Sequence, residues 1–353
     1  MSKIDVKAID FFCGGGGMTQ GLIQSGVNVL AGVDLDEEAK ETYEINNQPS
    51  VFVQGDINDL PLNYFEENFA VKKNDDNMIF VGCSPCQFYS IINTDRSRSK
   101  QGKDLLMSFA RFVDYYNPGF VLVENVPGIL SNPKSILPKF LKFLTKKGYV
   151  FDHQIVDLSY YNVPQTRTRY SLIASRVHED IQLPTKNEER ALLKDYIGEQ
   201  HGFPRIKAGH RDISEFNHTT AGLSDVSLER LALTPKDGGN RLAWKDYPEL
   251  QLACFIGKDN SFVDTYGRMF WDKPASTITT RFFSVSNGRF AHPEEDRAIS
   301  LREGATLQTF PKSYIFKTTS IGATARLIGN AVPPEYARLL GEAIKNKITE
   351  DNS

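Results

Sequence analysis

The chain has 353 residues, of which 40% are hydrophobic and 24% charged, and a formal net charge of −3. That is the make-up of an ordinary globular protein with room for one large core or two modest ones, and two unequal lobes are expected. No apolar run approaches the roughly 20 residues that a bilayer requires, and the first residues, MSKIDVKAID, have no signal-peptide character. Cys13, Cys83, Cys86 and Cys254 are too few in so long a chain for an extracellular disulfide framework, so a reducing cytoplasm is expected.

Residues 6–12 (VKAIDFF) predict a first strand, and Cys13 to Gly17 (CGGGG) a tight turn. Residues 18–25 predict a helix stopped by Gly26, and residues 27–33 (VNVLAGV) a second strand closed by Asp34. Strand, glycine loop, helix, strand and acid, in that order, make the nucleotide-binding half of a doubly wound α/β fold. The glycines let backbone N–H groups approach a ligand, and Asp34 stands where a ribose-binding acid is expected. Thr19 replaces the third glycine of GxGxxG, which points away from NAD and towards another adenosine cofactor. Residues 51–53 form a short third strand followed by Gly55 and Asp56; Asp56 is either a turn or helix cap or a partner for an adenine amino group.

Residues 78–90 (MIFVGCSPCQFYS) are the stretch around which the chain is organised. Met78 to Val81 reads as a strand buried on both faces, and the loop after Gly82 carries Cys86 to the carboxyl end of the sheet, where open α/β folds bind their ligands. A thiol there is a candidate nucleophile, although most cysteines are inert core residues. The next segment holds Arg96, Arg98, Lys100 and Lys103 among serines and a glycine. It is either a solvated surface loop or a mobile flap with phosphate-binding cations.

Residues 105–116 carry apolar residues at helical spacing, and residues 120–123 a fifth buried strand that delivers Glu124, Asn125 and Val126. A carboxylate straight after such a strand is costly to bury unless paired; it is either a plain strand-end carboxylate in water or, from its position beside the Cys86 loop in a parallel sheet, a proton-handling group. Residues 136–147 are an amphipathic helix, and residues 149–158 and 170–174 further strands. Between these strands the alternation of Gln165, Arg167 and Arg169 puts the three on one side, for a salt-bridge site or for recognition of a polar group.

After about Pro184 the strand–helix alternation is lost. Residues 185–272 carry scattered aromatics and a basic group of Arg205, Lys207, His210 and Arg211, the composition of an irregular recognition lobe or of an insertion with its own small core. The six histidines show no metal-ligand spacing, so no metal is expected. Gly329 to Pro334 (GNAVPP) predicts a turn that opens a last helix, which returns to the first lobe.

Taken together, Phe12-x-Gly14-x-Gly16, Pro85-Cys86-Gln87, Glu124-Asn125-Val126, Gln165-x-Arg167-x-Arg169 and Gly329-Asn330-Ala331-Val332-Pro333 resemble the motifs of the DNA (cytosine-5) methyltransferase family, in order and over essentially the whole chain. One departure is Cys83, where many members have glycine, which creates a CxxC spacing.

The resemblance implies a Rossmann-like S-adenosylmethionine-dependent methyltransferase fold, a mostly parallel doubly wound sheet with a smaller irregular target-recognition domain. The divisions it suggests are residues 1–198 for catalysis and cofactor, 199–319 for recognition (with the 273–281 motif), and 320–353 returning to the first domain. It implies Cys86 as the nucleophile at carbon 6 of a flipped-out cytosine, Glu124 at ring nitrogen 3, and Arg167 on the 2-carbonyl oxygen, with Gln165 and Arg169 in the same site. S-adenosylmethionine would lie against Phe12, Gly14, Gly16, Asp34, Leu35, Asp56, Ile57, Pro85, Leu105, Asn330 and Val332, and leave as S-adenosylhomocysteine. Double-stranded DNA would meet Arg96, Arg98, Lys100, Lys103, Arg205, Lys207 and Arg211. A monomeric bacterial enzyme acting on one short sequence, with a cognate restriction endonuclease as genetic partner, is the expectation.

Three rivals stand beside it. A thiol–disulfide or flavin/NAD oxidoreductase would use Cys83 and Cys86 as a redox pair, but leaves Glu124, Arg167 and Arg169 unexplained. An RNA cytosine-5 methyltransferase keeps the fold and changes the substrate. A DNA-binding protein without catalysis has no use for Cys86, Glu124 and Arg167 together.

Overall fold

The computed structural model describes residues 5–85 and 105–350, which fold as two compact units. The first takes the described residues within Met1–Asp157, Thr168–Lys186 and Val332–Ser353; the second takes Leu158–Arg167 and Asn187–Ala331.

The first unit is built on one seven-stranded sheet of order β3-β2-β1-β4-β5-β7-β6. Its strands are β1 (Lys7–Phe11), β2 (Asn28–Asp34), β3 (Val51–Gln54), β4 (Met78–Gly82), β5 (Phe120–Asn125), β6 (Val150–Asp157) and β7 (Thr168–Ser175). Strands β3, β2, β1, β4 and β5 run parallel, whereas β7 is antiparallel to both β5 and β6. Every residue of β4 and β5 is buried, as their unbroken apolar runs require, and β6 at the edge is largely polar and open. The order of strands reverses between β1 and β4, so the carboxyl ends of these two open onto the crevice where doubly wound sheets bind ligands.

Helices α1 (Gly17–Gln24), α2 (Glu37–Asn46), α3 (Tyr64–Phe69), α4 (Leu105–Tyr116), α5 (Gly128–Ser131) and α6 (Leu137–Lys146) connect the strands. Asp36 caps α2 by accepting from the N–H of Glu38, and Glu37 and Glu38 favour the positive end of its dipole. The core is aromatic: the Phe11 ring lies 5.1–5.4 Å from those of Phe65, Phe80, Phe109 and Phe112. Such pairs add about 0.5–1.5 kcal/mol each beyond the apolar area they bury.

The second unit has little regular structure: α7 (Asp225–Leu233), α8 (Leu301–Leu307), α9 (Ile321–Asn330) and several single 3-10 turns. Its irregular backbone buries carbonyls that no ladder satisfies, and buried arginines take them up. Arg268 donates to the carbonyls of Leu231, Thr234, His292 and Glu295, and Arg302 to those of Glu215, Phe216, Pro311 and Tyr314. Arg297 forms a forked pair with Glu303, at 2.7 and 2.9 Å, and a second pair with Glu295. Glu303 also closes a capping box with Ser300 at the start of α8.

The expected turn at Gly329 and Asn330 is corrected: both are the last residues of α9. Ser320 starts that helix by accepting from the N–H of Ala323, and the chain leaves it only at Ala331. Gly329 is needed there because a Cβ would lie 2.4 Å from the carbonyl carbon of Thr279. The last helix, α10 (Pro334–Glu350), belongs to the first unit and packs on α1. At Gly21 a Cβ would lie 2.1 Å from the carbonyl oxygen of Pro334, so only glycine permits that approach.

Candidate active site

In the first unit, the ends of β1 and β2 build one side of the site. The chain leaves β1 through Phe12 (φ 65°), Gly14 (φ 49°) and Gly16 (φ 85°), left-handed conformations that explain the glycines and put strain on Phe12. The Gly14 N–H donates to Asp34 Oδ2 at 2.8 Å, and Asp34 Oδ1 accepts from Asp36 N–H at 2.8 Å. Burial pushes the Asp34 carboxyl above its ordinary value against the pull of these amides.

Below the same loop, burial pushes the Asp10 carboxyl up to about 7. Thr19 donates to Asp10 Oδ2 at 2.7 Å and continues through Tyr43 to Ser50, while Asp10 Oδ1 has no hydrogen-bond partner among the described residues. Thr19, which breaks the dinucleotide fingerprint, is therefore the residue that holds this acid.

Leu35 is exposed beside Asp34, and Ile57 is buried in the apolar core of the first unit. Asp56 Oδ1 accepts from both the backbone and side-chain N–H of Asn58 at 2.9 Å, the turn-forming role weighed for it.

At the end of β4, Ser84 is buried and Pro85 exposed. Cys86, Arg96, Arg98, Lys100 and Lys103 lie outside the described residues. Val81 pairs with Leu122 at the end of the ladder that joins β4 to β5. The Asn125 side-chain amide donates to Ser84 O at 3.2 Å and ties the end of β5 to the loop that leads to Cys86. Leu105 opens α4.

Glu124 is nearly buried, and its neighbour is Arg169, with Nε and Oε1 3.0 Å apart. Register explains the pair. Glu124 stands opposite Ser171 in β7, and Arg169, two residues away on the same face, is its diagonal neighbour. The two meet as charges without an aligned hydrogen bond, since Oε1 has none among the described residues.

Gln165 and Arg167 are buried while Thr166 and Thr168 are exposed, the alternation expected of the segment; Gln165 N–H donates to Val163 O and Arg167 N–H to Gln165 O, and β7 starts only at Thr168. Gln165 and Arg167 fall in the second unit and Arg169 in the first. Arg167 is buried and donates through its two terminal nitrogens to the carbonyls of Ile278, Gly329 and Ala331 at 3.0–3.3 Å. Gln165 donates to Leu307 O and to the side chain of Gln308, and accepts from Ile278 N–H. In this unit the motif is architectural, and Gln308, which the sequence reading passed over, completes it by donating to Ile328 O.

Asn330 ends α9 in the second unit and Val332 is buried in the first. Arg205 is engaged by two carboxylates, Glu199 and, at 2.8 Å, Glu294; Lys207 and Arg211 are exposed with no ion-pair partner among the described residues. Among the described residues no group of three or more His, Cys, Asp or Glu is arranged to hold a metal, and no helix is long and apolar enough to cross a membrane.

The Glu124–Arg169 pair thus lies at the end of β5, and the glycine loop and Asp34 at the ends of β1 and β2. The profile of C-5 cytosine-specific DNA methylases matches residues 6–346. The chain belongs to that family. Among its relatives, a Type II methylase of Herpetosiphon aurantiacus, M.HgiDII, is 37% identical over 345 residues, spanning 96% of this chain and 94% of the relative. The Type II methyltransferase M1.BsuMI of Bacillus subtilis is 30% identical, over 95% of this chain and 79% of its own length.

Among solved structures, a putative DNA modification methyltransferase encoded within an E. coli prophage aligns over 98% of this chain and 100% of its own with a TM-score of 0.74 at 24% identity, which supports the methyltransferase fold. The S. pombe Dnmt2 methyltransferase aligns with a TM-score of 0.62 at 16% identity, over 99% of this chain. Membership of the cytosine-5 DNA methylases, which use S-adenosylmethionine as methyl donor, sets aside the oxidoreductase reading of Cys83 and Cys86.

Proposed function

We propose that this family member methylates carbon 5 of a cytosine within one short duplex DNA sequence, through a transient bond between Cys86 and carbon 6 of the flipped-out base. The observation that carries the reading is the Glu124–Arg169 pair beside the segment that Asn125 ties to the Cys86 loop.

Carbon 5 of cytosine is too weak a nucleophile to take a methyl group unaided. Attack by the Cys86 thiolate at carbon 6 saturates the 5,6 bond and moves electron density to carbon 5; loss of the carbon 5 proton after transfer lets the thiol leave. S-adenosylmethionine, when bound, supplies the methyl as an electrophile on its sulfonium. Glu124 holds a proton at ring nitrogen 3, so that negative charge does not accumulate on the base. We assign the 2-carbonyl oxygen to Arg169 rather than to Arg167: Arg169 adjoins Glu124, whereas the terminal nitrogens of Arg167 already serve three carbonyls.

The residues of the β1 loop fit the cofactor. Gly14 and Gly16 allow backbone approach, Asp34 offers its remaining lone pairs to ribose hydroxyls, Leu35 offers an exposed apolar side chain, and Asp10 Oδ1 awaits a donor. Phe12, Asp56, Pro85, Leu105, Asn330 and Val332 complete the proposed contacts. A cytosine in a stacked duplex cannot reach a nucleophile, so flipping is required; Lys207 and Arg211, with the segment from Arg96 to Lys103, are the proposed phosphate contacts.

The Type II names of the relatives support a restriction–modification role; a partner endonuclease, a monomeric state and a place in the bacterial cytoplasm are part of the proposal. Bisulfite sequencing of a plasmid from cells that express the chain tests the function. Cytosines protected at one recurrent short sequence are expected; conversion of every cytosine would contradict it.

A further inference from the structure

Charge is spread unevenly along the first unit. The whole chain has a net charge of −3, yet from Val126 to Phe151 it carries five lysines and neither an aspartate nor a glutamate. Three of the five line one side of α6: Lys139, Lys142 and Lys146 stand at i, i+3 and i+7, while Leu137, Phe140 and Leu144 bury the other side in the core. Lys134 precedes the helix. These four lysines are exposed, and none has an ion-pair partner among the described residues. The fifth, Lys147, is met by Asp114 of α4 at 3.1 Å. On the face of β6 turned to the same core stand Phe151, His153 and Ile155, with an acid, Asp157, only at the last residue of the strand. Asp152 is on the reverse and accepts from Leu183 N–H at 2.9 Å.

Strands β5 and β6 are both antiparallel to β7 and so point the same way, and α6 lies on the crossover between them. The helix therefore runs back from the sheet edge that carries Glu124 towards the opposite edge, and its lysines form a track down the flank of the unit. From Lys139 to Lys146 the track spans about 10 Å, and over that length one strand of a duplex presents about three phosphates. A lipid surface is a poor match, because the apolar side of α6 is buried and no apolar stripe remains to enter a bilayer. A protein interface is a poor match too, because lysine is depleted there. Ammonium groups on flexible stems suit phosphates approached without regard to sequence, and the substrate of this family, DNA, is such a polyanion.

We propose that the lysine face of α6 is a second DNA contact, which holds the phosphate backbone of duplex beyond the target sequence and takes no part in methyl transfer. The proposal rests on the reading of the chain as a duplex-DNA methyltransferase. A duplex held by point charges alone is free to slide, so this contact keeps the protein on one DNA molecule between targets.

The test compares full-length wild type with the triple variant Lys139→Gln, Lys142→Gln, Lys146→Gln, in which the stems stay and the charges go. Binding is measured by fluorescence anisotropy over a range of salt, on a duplex trimmed to the target, once mapped, and on one that extends well beyond it. On the long duplex the variant is expected to bind about tenfold more weakly at low salt, and the slope of log K against log salt to be shallower by about 2 to 3. On the trimmed duplex its affinity, salt slope and single-turnover methylation should equal those of wild type, and the two proteins should share one melting temperature. An unchanged slope on the long duplex would overturn the second contact. So would an equal loss on both duplexes, which would move the lysines to the target site. Weaker binding of the variant to anionic lipid vesicles, with DNA binding unchanged, would overturn it in favour of a membrane. No methylation of the long duplex by wild type would instead overturn the reading on which the proposal rests.

Discussion

Arg169 Nε lies 3.0 Å from Glu124 Oε1 because β5 and β7 run antiparallel and put the two on one face of the sheet, one diagonal step apart. A buried ion pair is at best a weak stabiliser, and the proposed function gives this one a chemical role. Glu124→Gln keeps the shape and removes the carboxylate. It should lower the single-turnover methylation rate by about 10²-fold or more and leave the melting temperature within a few degrees. Arg169→Lys, which keeps charge but loses the fork, should lower the rate by about 10-fold or more with little change in DNA affinity.

Arg167 should behave in the opposite way. Its guanidinium gathers the carbonyls of Ile278, Gly329 and Ala331, so Arg167→Ala uncovers buried acceptors at about 1–3 kcal/mol each. Loss of several kcal/mol of stability by urea unfolding is expected, with inactivity following from unfolding. A fully folded but inactive Arg167→Ala protein would return this residue to the chemistry.

The contrast between these arginines shows what a sequence can carry. Apolar runs such as Met78 to Val81 and Phe120 to Val123 are legible because a strand buried on both faces needs them, and so the parallel strands and the acids that end them were predictable. The alternation of Gln165 and Arg167 was legible too, but not the carbonyls they bind, which lie more than a hundred residues away in sequence. The second unit escaped for a related reason: its carbonyls are satisfied by Arg241, Arg268 and Arg302 over long sequence separations, and no local period announces such partners. Helix α9 was hidden by its own ending, since Asn-Ala-Val-Pro-Pro reads as a turn while the Ser320 cap that starts it is a weaker signal.

Asp34 supports both the loop and the proposed ribose site. Asp34→Asn leaves Gly14 N–H with a neutral acceptor at best. A bond to a charged group contributes about 1.5–3 kcal/mol, so S-adenosylmethionine affinity by calorimetry should fall roughly 10- to 100-fold. Unchanged affinity would remove Asp34 from the cofactor site.

The buried charges of the second unit predict acid lability. Burial holds His292 down at about 4, below its ordinary 6.5, so between those values the unfolded chain takes up a proton that the folded one refuses. Burial alone would raise the Glu303 carboxyl, but Arg297 outweighs it and holds the group at about 2 against an ordinary 4.5. The contribution of these two groups is fully present above about pH 6.5 and is lost as pH falls, first through His292 and then, below 4.5, through Glu303. Asp10, held at about 7, acts in the opposite direction between pH 7 and 3.8, so urea midpoints should fall most steeply from pH 4.5 to pH 3. In Glu303→Gln, less stable at pH 7 by about 3–5 kcal/mol because Arg297 loses its forked partner, the slope below pH 4.5 should flatten.

The central claim is a covalent bond between the Cys86 sulfur and carbon 6 of the target base. With 5-fluorocytosine at the target of a duplex oligonucleotide, the fluorine cannot leave as the proton does, and the bond should persist after methyl transfer. Wild-type protein with S-adenosylmethionine is expected to give a protein–DNA adduct that survives denaturing electrophoresis, and Cys86→Ala none. No adduct with wild type, or an adduct that still forms with Cys86→Ala, would contradict the account.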